Sequence, residues 1–100
     1  MQPPLTSAQR RRLRGDAQLL EAALKLGQQG ITPAFLAALD DELARRELVK
    51  VRFSGHKDER HELADALAQQ TASALVQVVG HVAVFYRPKP KKAAAEKEEA

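Results

Sequence analysis

The stretch LGQQGITPAFLAALDDELARRELVKVRF, residues 26–53, sets out a turn, a helix and a strand in succession, and each boundary has a local cause. Gly27 and Gly30 can take positive φ without a Cβ clash, so a sharp bend between them costs little. Thr32 suits the N-cap, where its hydroxyl accepts from an amide of the first turn, and Pro33 suits the first helical position. A helix is expected from 33 to about 46: Phe35, Leu36, Leu39 and Leu43 share one stripe. On its wet side Asp41 with Arg45 and Glu42 with Arg46 form i,i+4 pairs, each worth roughly 0.3–0.5 kcal/mol. Beyond it, Val49, Val51 and Phe53 alternate with Lys50 and Arg52, the period of a strand with one buried face and one basic, solvated face.

The start of that helix presents N–H donors and the positive end of the helix dipole, an environment that suits a phosphate. The same residues also make a plain start to a helix. A G-x-x-G by itself does not choose between the two.

Outward toward the N-terminus, Thr6-Ser7-Ala8-Gln9 has capping-box spacing, so a first helix is expected over about 7–16. Leu13, Ala17 and Leu20 form its inward stripe, which leaves most of Arg10, Arg11, Arg12 and Arg14 in water. EAALKL, residues 21–26, reads as a short strand despite its alanines and glutamate. Outward toward the C-terminus, Ser54 to Lys57 is a loop, and Asp58 is placed to cap a third helix running to about 70. Leu63, Ala64 and Leu67 point inward there, and Asp65, Gln69 and Gln70 outward. LVQVVGHVAVFYR, residues 75–87, reads as an antiparallel hairpin turning at Gly80, its last strand apolar on both faces, and Pro88 and Pro90 stop it. The tail 89–100, KPKKAAAEKEEA, lacks apolar periodicity and is expected to be disordered, with transient helix in its alanine run.

The expected architecture is therefore one α/β domain over 1–88, in the order α-β-α-β-α-β-β. It has one four-stranded mixed sheet packed by helices, with right-handed crossovers.

One hundred residues support one modest core. With 44% apolar and 29% charged residues the composition is that of a globular protein. The absence of cysteine excludes disulfides and thiolate chemistry and fits a reducing compartment. No stretch approaches the ~20 apolar residues of a membrane span, and the chain reads as cytoplasmic, with no membrane partner. The formal charge is +3, but residues 1–95 hold 15 Lys/Arg against 10 Asp/Glu, a net +5, which favours polyanionic partners.

Catalysis finds no support: there is no G-x-S-x-G, no Lys-Ser/Thr after the G-x-x-G to make a Walker loop, and no evident carboxylate pair. His56, Asp58 and His61 lack metal-site spacing, so no metal, cofactor or small-molecule substrate is expected. His81 is expected to be exposed in its turn. With 4% aromatics a stacking platform is disfavoured, and Phe35, Phe53 and Phe85 read as core.

Four segments in order, LTSAQRRRLRG, L-x-L-G-x-x-G-I-T-P, ELVKVRF and LVQVVGHVAVFYRP, give the chain a specific likeness over about residues 5–88. It resembles the YhbY-like family, the stand-alone bacterial form of the CRM (chloroplast RNA splicing and ribosome maturation) domain. The resemblance implies a non-enzymatic RNA-binding domain, similar in fold to the C-terminal domain of bacterial translation initiation factor three, with a loop like that of KH domains. It also implies association with ribosomal RNA in precursors of the large ribosomal subunit. Family members often carry lysine inside the loop, where this chain has Gln28 and Gln29; an uncharged amide can still donate to a phosphate but releases no counterion.

With that resemblance, Gly27, Gln28, Gln29, Gly30 and Thr32, together with Arg10, Arg11, Arg12 and Arg14, become the expected RNA contacts. Lys25, Lys50, Arg52, Lys57 and Arg87 are secondary positions, able to meet phosphates or merely to keep a strand edge soluble. The loop and the first helix's arginines are expected on one continuous surface of a monomer. Two other readings are a protein-interaction module, docking on a ribosomal protein or assembly factor by the sheet edge or the alanine-rich second helix, and a DNA-binding domain.

Overall fold

The strand pattern at residues 48–53 has a simple consequence: one face must be covered by helices, and the chain supplies them on both sides of the sheet. The computed structural model describes residues 5–88. Its elements are α1 (Ser7–Ala17), β1 (Leu24–Leu26), α2 (Pro33–Arg46), β2 (Leu48–Phe53), α3 (Arg60–Gln70), β3 (Ala74–Val79) and β4 (Val82–Tyr86), the expected order. The sheet runs β1-β2-β4-β3, with β1 parallel to β2 and β4 antiparallel to both its neighbours. The two strands of the C-terminal hairpin stay adjacent, β3 at the sheet edge and β4 in the interior. Both its faces are covered, Ala83, Val84 and Phe85 each having 0% exposure.

The two sheet faces carry separate cores. On one, Leu26, Val49, Val51, Phe53, Ala83 and Phe85 pack against Leu39 and Leu43 of α2 and Ala64, Leu67 and Ala68 of α3. On the other, Val76 and Val84 pack against Ala17 of α1, with Leu5, Leu13, Leu48, Val82 and Tyr86 around them. The molecule therefore has three layers. At roughly 1.5–3 kcal/mol for each fully buried large apolar side chain, the larger core dominates the stability.

The helix boundaries follow their caps. Thr6 and Gln9 close the capping box, each side chain accepting from the other's backbone N–H at 3.0 and 2.9 Å. Thr32 Oγ1 accepts from Phe35 N–H at 3.1 Å, and Pro33 opens α2. Two expectations are corrected. β1 is only Leu24–Leu26, not 21–26, because Glu21, Ala22 and Ala23 are exposed and lack the branched side chains that favour a strand. Asp58 does not cap α3: a turn closed by Glu59 N–H to the His56 carbonyl at 3.0 Å delays the helix to Arg60, with Glu59 as an N-cap whose side chain makes no capping bond.

Among the described residues, three non-glycine residues have positive φ. Glu47 (φ 66°) is the single residue between α2 and β2, His56 (57°) lies in the β2–α3 loop, and Ala72 (54°) ends the turn after α3. The last is supported by buried polar groups, Thr71 Oγ1 donating to the Leu67 carbonyl at 2.7 Å and lying 2.8 Å from Ser73 Oγ. The tail, expected to be disordered, lies outside the described residues.

Candidate nucleic-acid interface

The turn at Gly27–Gly30 follows β1 and sits at the C-terminal end of the parallel β1–β2 pair, where Leu26 is the register partner of Phe53. Gly30 N–H donates to the Gly27 carbonyl at 3.1 Å, and Gly30 has φ +79°, a conformation that favours glycine. Gly27 differs from expectation. It has no positive φ, it is exposed, and a Cβ built on it meets nothing within 4 Å. The fold therefore has no need of glycine at that position. Gln28 and Gln29 are exposed, and their N–H groups donate to no backbone carbonyl among the described residues.

A second loop, Ser54–Glu59, flanks the turn. Ser54 N–H donates to the Leu26 carbonyl at 2.9 Å, and His56 Nε2 lies 2.9 Å from the Gly27 carbonyl oxygen. Exposed Lys57 follows His56 on the same loop.

On the sheet face that carries α1, Lys25 and Arg52 are register partners on adjacent strands, and both are exposed. Neither forms an ion pair among the described residues. They line two open grooves, one of ≈ 550 Å³ shared with Leu20, Leu24 and Lys50, the other of ≈ 490 Å³ shared with Ser54, Gly55 and His81. Common walls at Lys25, Arg52 and Val82 join these grooves, which lead along β2 toward the loop beside the Gly27–Gly30 turn.

The other expected cations are distributed differently. Arg10 is half-buried, and its Nη1 donates to the carbonyls of Leu75 and Val76, both at 2.7 Å, where a bulge interrupts the β3–β4 register. Arg87 is an internal clamp: Nη1 donates to Asp40 Oδ1 and the Thr71 carbonyl at 2.7 Å, Nη2 to the Asp40 carbonyl at 3.1 Å. Lys50 Nζ donates to the Leu20 carbonyl at 2.9 Å and ties the α1–β1 connection to β2. Arg12 lines a separate recess with Leu5, Gln9, Leu48 and Tyr86. Because Leu48 begins β2 and Phe53 ends it, that recess is at the far end of the strand from the turn. Arg11 is exposed and Arg14 half-exposed on α1. The expected continuous surface therefore narrows at the turn to Lys25, Arg52 and Lys57, with Thr32 capping the helix beside it and keeping its hydroxyl hydrogen free to donate.

The second helix is neutralised as its pairing pattern implies, with Arg45 3.4 Å from Asp41 and Arg46 2.8 Å from Glu42. Two contributors have no signal in the sequence. Arg60, opening α3, donates to the Gly80 carbonyl at 2.9 Å and approaches His81 Nδ1 at 2.7 Å, so His81, though exposed, is held rather than free. His56 is the other, since no spacing rule relates it to Gly27, 29 residues earlier. Among the described residues no three His, Cys, Asp or Glu side chains are grouped to hold a metal ion, and no helix is long and apolar enough to cross a membrane.

The family model for the CRS1 / YhbY (CRM) domain matches residues 5–87, which takes in all seven elements. The chain belongs to this family. An RNA-binding protein of Haemophilus influenzae is 36% identical to the CRM chain over 85 residues, covering 84% of this chain and 86% of that protein. Proteins named probable RNA-binding proteins are 35% identical in Pseudomonas aeruginosa (87% of this chain, 85% of that protein) and 31% identical in Bacillus subtilis (83% and 88%). The solution structure of hypothetical protein SAV1595 from Staphylococcus aureus superposes on the CRM domain with a TM-score of 0.77 at 38% identity, covering 87% of this chain and 92% of that one.

Proposed function

We propose that this CRM domain binds RNA through the sugar-phosphate backbone, with the Gly27–Gly30 turn and the cations Lys25, Arg52 and Lys57 as the contact surface. The observation that carries the reading is Gly27: an exposed glycine whose backbone and surroundings would accept a side chain, beside amides that no backbone carbonyl uses among the described residues. A glycine of that kind leaves room for something outside the fold to approach the main chain closely. The cations beside it, which have no ion-pair partner among the described residues, supply the charge that a phosphate strand seeks. The names of the relatives agree with RNA as the partner. Following the family resemblance, the RNA is ribosomal and is met in large-subunit precursor particles in the cytoplasm. The protein assists assembly there without catalysing a reaction.

The test separates fold from binding. Gly27→Ala leaves the fold as stable as wild type or more so, by about 0.4–1 kcal/mol from the reduced freedom of the unfolded chain. It nonetheless weakens binding to structured ribosomal RNA severalfold. Gln28→Glu with Gln29→Glu weakens it further, and Gln28→Lys with Gln29→Lys strengthens it. Unchanged affinity in all three removes the turn from the interface. Cosedimentation with large-subunit precursors, lost on nuclease treatment, tests the ribosomal part; co-sedimentation that survives nuclease favours protein docking instead.

A further inference from the structure

The carbonyl of Gly27 receives two hydrogen bonds, one from Gly30 N–H within the turn at 3.1 Å and one from outside it, from His56 Nε2 at 2.9 Å. The histidine is well placed to hold that oxygen. Its side chain is 17% exposed, its other ring nitrogen lies 3.4 Å from Glu59 Oε1, and its backbone is in the left-handed region at φ 57°. The residue before it, Gly55, has φ +89°, and a Cβ built there would lie 3.8 Å from Gln28 Cγ, so the two loops are in near contact along their length. A non-glycine residue in that region costs about 1–2 kcal/mol, which the surrounding bonds must offset. For the 2.9 Å bond to form, Nε2 carries the hydrogen.

We infer that His56 is a positioning residue for RNA binding: it latches the Gly27–Gly30 turn to the β2–α3 loop by fixing the Gly27 carbonyl, so that the Gln28 and Gln29 amides are held toward the ligand before RNA arrives. This rests on the RNA-binding role proposed for the turn. A short loop closed by one internal bond moves freely, and ordering it on binding would subtract from affinity. The latch removes that cost in advance. It also keeps Lys57, the next residue, at a fixed distance from the turn.

The experiment uses the full chain and two variants. His56→Asn tolerates the left-handed backbone but is too short to reach the Gly27 carbonyl, whereas His56→Gln keeps an N–H donor of sufficient length. Structured ribosomal RNA is the probe, and amide hydrogen exchange at Gly30 reports the order of the turn without RNA. Expected are faster Gly30 exchange and about three- to tenfold weaker binding for His56→Asn, the value of one hydrogen bond. His56→Gln restores most of both. In the Gln28→Glu/Gln29→Glu background, His56→Asn has little further effect. Wild-type affinity in His56→Asn, while wild type binds and the glutamate pair weakens binding, overturns the latch and leaves the proposed function standing. An equal loss in the glutamate background overturns it too, because the effect would then bypass the turn. A wild-type chain that binds no RNA removes the function and the latch together.

Discussion

Arg10 Nη1 lies 2.7 Å from the carbonyl oxygen of Val76, 66 residues away along the chain, and so fastens α1 to the outer strand β3. Val76 is the extra residue of the bulge, since Leu75 pairs with Phe85 and Gln77 with Val84. A bulge leaves backbone groups without ladder partners, and the guanidinium serves the two carbonyls turned toward it.

The first prediction follows from that bond. Arg10→Gln lowers stability by roughly 1–2 kcal/mol, because two part-buried carbonyls lose a charged donor. Its RNA affinity, measured where the variant is fully folded, stays within about twofold of wild type. Urea denaturation and a binding titration on the same sample check both halves. A tenfold loss of binding with unchanged stability would return Arg10 to the interface.

Lys25 and Arg52 behave in the opposite way. They are register partners, exposed and without ion-pair partners among the described residues, so Lys25→Gln with Arg52→Gln leaves the urea midpoint near wild type. RNA binding weakens, and the plot of log affinity against log salt becomes shallower by about 1.4–1.8, as expected for two lost phosphate contacts. An unchanged slope would mean that neither side chain meets a phosphate.

Ala72 offers a stability prediction independent of RNA. Its φ of 54° falls just after α3, where Ser73 N–H donates to the Ala68 carbonyl at 2.9 Å in the manner of a glycine-terminated helix. Ala72→Gly relieves the left-handed strain and loses part of the gain to the freer unfolded chain, for a net stabilisation of about 0.5–1 kcal/mol. A lower midpoint for the variant would mean that the Ala72 methyl contributes packing that outweighs its strain.

Local rules accounted for most of the elements. The Thr6/Gln9 box, the Thr32-Pro33 start, the alternation in LVKVRF and the apolar run broken at Gly80 depend on neighbours in the chain, and each produced the expected element. They failed where a local signal was overridden. Asp58 has the chemistry of a cap, but the His56 turn keeps it outside the helix.

What the sequence determined by itself was the element order, the two apolar faces of the last strand, the excess of positive charge and the family resemblance, because periodicity and capping are short-range and charge is additive. Tertiary structure decided which cations are available. Arg10, Lys50 and Arg87 look like Arg52 in the sequence, yet each is drawn to a carbonyl that another element leaves without a partner. It also decided that His56 meets Gly27 and that Gly27 needs no glycine for its own backbone. Such pairings arise when β1 and β2 come together in register, and nothing in the residues between them records that distance.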